Sequence, residues 1–178
     1  MTALRLDHAA LLDLVEAAYD SETSGRAWVS ELLKHGARVP PGARTSTWFE
    51  YTWSDRPDGL ALDACSSDYV RGPDAAKKTW LEARRGLDPR ILARLFGRTA
   101  AGTASQLGAR GVAPASVPGW RAMWREPVVD SLGLVSAGPD GRGMCLSIGL
   151  SSLASLGRRE TALLERVAVH LGSAHRLR

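Results

Sequence analysis

Apolar residues recur at helical spacing towards both ends of the chain and at strand spacing in two separated stretches between them. Leu11, Leu14, Val15 and Ala18 fall on one face of a helix that Asp7 is placed to cap. A second helix is predicted over 25–36. Ser24 is its candidate cap, Trp28, Val29, Leu32 and Leu33 form its stripe, and Gly36 followed by Pro40-Pro41 ends it. Residues 45–53 are β-branched and aromatic and alternate, with Phe49, Tyr51 and Trp53 on one face and Trp48 and Glu50 on the other. Turn residues over 54–59 lead into a strand over 60–65, with Leu60, Leu62 and Ala64 on one face, so the two strands form an antiparallel hairpin.

Asp74 opens a predicted helix over 75–85 that contains Trp80 and Leu81, and Asp88-Pro89 opens another with Ile91, Leu92, Leu95 and Phe96. Residues 97–118, rich in Gly, Ala, Ser, Thr and Pro, read as a loop, followed by a short helix over 118–125 carrying Trp120, Met123 and Trp124. Strands over 128–136 and 143–150 flank a turn at 137–142. In the last helix, 157–178, Leu164, Val167, Leu171 and Ala174 make a heptad-like seam, which suits packing on the domain or pairing across a dimer. Hairpins separated by helices predict an α+β domain with an antiparallel sheet, the helices of the two chain ends together on one face. The expected division is a domain over 1–156 and an output helix over 157–178.

Composition narrows the class. With 178 residues, 44% hydrophobic and 24% charged, the chain can bury a core of one ordinary domain. No apolar run approaches 18 residues and the N-terminus lacks the features of a signal peptide, so no membrane association is expected. Two isolated cysteines, Cys65 and Cys145, suit a reducing compartment, and a cytoplasmic location is expected. The formal charge of +4 is uneven: residues 1–89 carry 11 basic and 14 acidic side chains, residues 90–178 carry 12 and 5. Arg84, Arg85, Arg176 and Arg178 stand at predicted helix ends, where a cation suits the dipole. Arg90, Arg94 and Arg98 share a face without interleaved aromatic residues, and no helix–turn–helix, zinc-finger or RNP motif is present. Direct nucleic-acid binding is not expected.

Catalytic signatures are missing. There is no Walker loop, G-x-S-x-G elbow, H-E-x-x-H or paired C-x-x-C. Gly138-x-x-Gly141-x-Gly143 lies between two strands, where a dinucleotide fingerprint needs a strand and then a helix. His170 and His175 point about 140° apart on a regular helix and cannot share a metal. His170 reads as a boundary residue and His175 as a solvated one. No metal, cofactor or enzymatic activity is expected. Six tryptophans beside three Tyr and two Phe suit either plain core packing or an aromatic ligand cavity, with an indole N–H to spare for a ligand. Trp48, Glu50, Cys65, Trp80, Trp120 and Trp124 are the candidate ligand residues, drawn from the hairpin and the middle helices.

The last fifty residues carry a resemblance. Asp130-Ser-Leu-Gly-Leu-Val, Pro139-Asp140-Gly141-Arg142-Gly143, Leu146-Ser-Ile-Gly-Leu, and then His170-Leu171 with Ala174-His-Arg176-Leu177-Arg178, resemble the end of the N-terminal sensory region of LuxR-type transcriptional regulators. Tyr19, and Trp28 in the second helix, are also similar to that family. The resemblance implies a GAF- or PAS-like sheet, with the terminal helices on one face and the middle helices, with a small-molecule pocket, on the other. It implies a ligand-sensing domain that reaches DNA only through a helix–turn–helix module outside this chain. The seam of the last helix leaves a homodimer through the C-terminal helix and packing on the domain both open. Lactone-reading members carry Trp-x-x-x-Tyr followed by Asp-Pro. Here Asp88-Pro89 follows Trp80, but Arg84 stands where the Tyr would be, so no lactone is assigned. The competing expectations are a protein-interaction or dimerisation domain without a ligand and an enzyme lacking a familiar motif; an enclosed cavity would favour a sensor over the former, and convergent titratable residues in a cleft would favour the latter.

Overall fold

The computed structural model describes residues 2–54, 59–67, 96–107 and 128–178, together with Lys78, Leu81 and Ala93. In chain order the described elements are β1 (Thr2–Ala3), α1 (His8–Tyr19), α2 (Gly25–Gly36), β2 (Ala43–Trp53), β3 (Leu60–Ser67), β4 (Ala100–Thr103), α3 (Ala104–Leu107), β5 (Asp130–Ala137), β6 (Arg142–Leu150), β7 (Ala154–Ser155) and α4 (Arg158–Arg176). Strands β3-β2-β6-β5-β4, in that order, make a five-stranded antiparallel sheet, and β1 pairs parallel with β7. The α+β class and the antiparallel sheet agree with the pattern of the sequence. The predicted middle helices and their packing fall mostly outside the described residues.

Side-chain alternation gives the sheet two different faces. Trp48 of β2, Leu132 and Leu134 of β5, and Met144, Leu146 and Ile148 of β6 join α1, α2 and α4 in one apolar core. Phe49 and Tyr51 of β2, Leu60, Leu62 and Cys65 of β3, Val135 and Cys145 join Phe96 in a second cluster. The three long helices among the described residues therefore lie on the first face, as expected for the helices of the two chain ends.

Local sequence explains the helix starts unevenly. The Asp7 carboxylate accepts from the backbone N–H groups of Ala9 and Ala10 at 3.0 and 3.1 Å, a side-chain cap. Ser24 stands at the start of α2 but makes no such bond. Residues 97–107, read as loop from their small side chains, hold β4 and α3 instead. Tertiary partners make the difference: β4 is completed by pairing with β5, and buried Asp130 grips α3, accepting from Ser105 N–H at 3.1 Å and Ser105 Oγ at 2.6 Å. The same carboxylate accepts from Ala154 N–H at 3.2 Å, which fastens β7 to the sheet.

The seam of Leu164, Val167, Leu171 and Ala174 is buried in the domain's own core. Of the two roles open to it, packing on the domain occupies it in this structure. Gly172 lets α4 come close. A Cβ there would lie 2.5 Å from Ser136 Cβ and closer still to its Oγ, so turning the hydroxyl aside would not make room.

Two outcomes follow from this packing. Gly172→Ala gains about 1 kcal/mol in helix propensity but overpacks the α4–β5 contact at a cost of about 1–3 kcal/mol. Its urea midpoint is expected to fall, and a rise would show that α4 does not sit this tightly on Ser136. Leu171→Ala should cost about 2–5 kcal/mol, while Val169→Ala, at a half-exposed position, should stay within about 0.5 kcal/mol.

Candidate functional site

Two places on the sheet have the character of a site, one on each face. Among the described residues, the second face presents an apolar, uncharged floor. Tyr51 lies across Gly143, where any Cβ would collide with its ring. Its hydroxyl donates to the Phe96 carbonyl at 3.0 Å, and the two rings meet edge-to-face with centroids 5.1 Å apart. Phe49 pairs with Cys65 on one side and Cys145 on the other. Burial, and then the neighbouring Cys65, push the Cys145 thiol up to about 12, so it is neutral at physiological pH and a poor nucleophile. Burial likewise raises the Tyr51 hydroxyl far above its ordinary range. A redox-sensing thiol needs exposure, and both cysteines are buried.

On the first face, a cluster joins β2, α2 and the C-terminal end of α4. Trp48 Nε1 donates to Glu50 Oε1 at 3.1 Å. His175 Nε2 stands 3.6 Å from Glu50 Oε2, and its ring meets Trp48 edge-on at 5.8 Å. Trp28 packs edge-to-face on Trp48 at 5.4 Å and donates its own indole N–H to the Ala18 carbonyl. The Arg178 guanidinium lies 4.5 Å above the Trp28 ring and donates to the carbonyls of Asp20 and Thr23. The end of α4 is thereby tied to the α1–α2 junction and to the sheet. The His175 ring, more than any other group, holds the Glu50 carboxyl below its ordinary value; the Trp48 donor adds to this and burial opposes it.

Alternation thus divides the expected ligand residues. Trp48 and Glu50 belong to the helix-covered face and Cys65 to the opposite one. The cause is a bulge. Glu50 pairs with Ala64 but Tyr51 pairs with Leu62, which leaves Asp63 as the extra residue. Thr52 Oγ1 donates to its carboxylate at 2.9 Å. The bulge moves Ala64 off the face of Leu60 and Leu62 and puts Cys65 in its place. Trp80, Trp120 and Trp124 lie outside the described residues. Sequence reasoning missed His175, read as solvated, and Arg178, read as a helix-end charge. It is His170 that is exposed, with its Nδ1 3.2 Å from the Tyr19 hydroxyl. Nothing in the spacing along α4 shows that His175 meets Glu50, because the two lie 125 positions apart in the chain.

Among the described residues, no group of three or more His, Cys, Asp or Glu side chains converges on a metal position, and no helix is long and apolar enough to cross a membrane.

No family model matches the sequence, and no curated protein is significantly similar to it. The fold is similar to the crystal structure of the N-acylhomoserine-lactone-dependent LuxR-family transcription factor CepR2 from Burkholderia cenocepacia, with a TM-score of 0.56 and 14% identity over 95% of this chain and 93% of that one.

The lowered Glu50 carboxyl has a pH consequence. Its contribution to folding is complete above its ordinary value of 4.5 and is lost as pH falls through that value towards the folded one. Wild type is therefore expected to lose more stability than Glu50→Gln between about pH 5 and about pH 3. Parallel urea midpoints for the two proteins over that range would refute the pairing.

Proposed function

We propose that the chain is the ligand-sensing regulatory domain of a LuxR-type transcriptional regulator, with DNA contact carried by a separate helix–turn–helix module. The single observation behind this reading is the two-faced sheet. One face is filled by α1, α2 and α4, the other offers an uncharged floor, and the arrangement is similar to that of a regulator that depends on a small molecule. The ligand binds over the floor of Phe49, Tyr51, Leu62, Cys65 and Cys145. It is a mostly apolar molecule without a fixed charge, because a charged group brought against this floor would lose hydration without gaining an ionic partner among the described side chains. Trp80, Trp120 and Trp124 are proposed as ligand residues on sequence grounds, beside Cys65. Trp48 and Glu50 leave that set and join the packing of α4. In this reading α4 is the output element, and a ligand acts by shifting the population of its packed state. A homodimer through α4 uses its outward side, with exposed Val169, and exposed Leu12 of α1 at its margin, since the inward seam is occupied.

A thermal-shift screen of uncharged amphipathic small molecules on the whole chain tests the sensor. A true ligand at a hundredfold excess over its Kd stabilises by about 2.7 kcal/mol, and Cys145→Met, which intrudes on the floor, is expected to abolish the shift while the protein stays folded. A library without any binder, or a binder indifferent to that substitution and to Leu62→Ala, would overturn the reading. Light scattering tests the dimer: Val169→Asp with Leu12→Asp should yield a folded monomer, and an unchanged mass would exclude this surface.

A further inference from the structure

We propose that the groove between the β5–β6 hairpin and the last turns of α4 is a binding site for a small anion, a phosphorylated or carboxylated molecule, and that its occupancy tightens the hold of α4 on the sheet. This is separate from the ligand proposed for the second face, and either reading can fail without the other.

The groove has a volume of about 390 Å³ and is lined by Ser136, Asp140, Arg142, Gly172, His175 and Arg176. Its two guanidinium groups come from different elements, Arg142 from the start of β6 and Arg176 from the end of α4. A planar guanidinium fork matches the oxygens of phosphate or carboxylate in pairs. Arg176 does not simply extend into solvent. Its Nη1 lies 3.4 Å from the place a Cβ on Gly172 would occupy, which puts it back over the helix beside Ser136. Its described partner is Ser173 Oγ, at a long 3.4 Å. The Arg142 side chain has no ion-pair or hydrogen-bond partner among the described residues.

The opposing charge is smaller. Among the described residues of the lining, Asp140 is the one carboxylate, and its Oδ1 accepts from the Arg142 backbone N–H at 3.1 Å within the hairpin turn. The C-terminal end of α4 adds roughly half a negative elementary charge. Two guanidinium charges exceed the sum. The acidic partner of His175, Glu50, stands outside the lining, so the imidazole is a wall between the groove and the Trp48 cluster.

That position links the site to the packing of α4. An anion held between Arg142 and Arg176 bridges the start of β6 and the end of α4 and braces the groove side of His175, whose Nε2 stands 3.6 Å from Glu50 Oε2. It thereby draws the last turns of α4 towards β2 and β6.

Calorimetry and thermal shift on the whole chain, with sodium phosphate and sodium citrate as probes and sodium chloride at matched ionic strength as reference, test the proposal. Saturable binding of at least one probe is expected. A response to phosphate and not to citrate identifies a phosphoryl ligand, and the reverse identifies a carboxylate. Arg142→Gln and Arg176→Gln, both at exposed positions, should keep the wild-type Tm without a probe and should each weaken binding by about tenfold or more. Intrinsic fluorescence, with Trp48 beside His175, should change on binding in wild type and not in His175→Gln. A shift that merely follows ionic strength, or saturable binding unchanged in both arginine variants, would overturn the proposal.

Discussion

The two-residue alternation of β2 from Thr45 onward, and of β6 beside it, is the constraint that the rest of the molecule obeys. Both strands are hydrogen-bonded on both sides, so neither can slip without breaking two ladders. A slip by one residue would exchange Trp48 for Phe49 and Leu146 for Cys145, placing every side chain against the wrong layer. The helices must then gather where Trp48, Met144, Leu146 and Ile148 point, and the second face is left to Phe49, Tyr51 and Cys145. The described irregularity beside Tyr51 lies against the edge strand β3, where one extra residue, Asp63, disturbs a single ladder.

The consequence for α4 is that it serves as core and as lever together. Its inward stripe is continuous with the packing of α1 and β5, and Gly172 removes the side chain that would hold it off the sheet. Its C-terminal end is held differently, by an aromatic stack, a guanidinium over an indole and a His–Glu pair. Such contacts depend on charge and geometry more than on buried area, so small chemical changes affect them more readily than the apolar seam. At its other end, Gln106 of α3 receives the Leu156 N–H at 3.0 Å and donates to the Leu156 carbonyl at 3.1 Å, just before α4 starts. The start of α4 is therefore tied to α3, and its end to β2 and the α1–α2 junction.

Much of this was legible along the chain. The stripe of Leu11, Leu14 and Ala18, the Asp7 cap, the split of Trp48 and Glu50 from Phe49 and Tyr51, and the turn between β5 and β6 all appear as expected. Each follows from interactions within a few residues, which periodicity and turn chemistry report directly. The misreadings share the opposite cause. Strand β4 is made of small residues with weak strand preference and exists because β5 pairs with it. Cys65 changed faces because of a bulge that no local pattern announces. His175 and Arg178 acquired partners on β2 and on the α1–α2 junction, far away in sequence.

The sequence by itself determined the periods, and with them the α+β class, the antiparallel hairpins and the identity of the side chains each face could present. The tertiary structure alone decided which face the helices cover, whether the α4 seam is spent within the domain, and which charged groups converge on a groove. The physical reason is range. Backbone geometry makes the period a local property of each segment. Contact between faces depends on strand order, register and one inserted residue, and these are settled only when distant segments bury their apolar surfaces against each other.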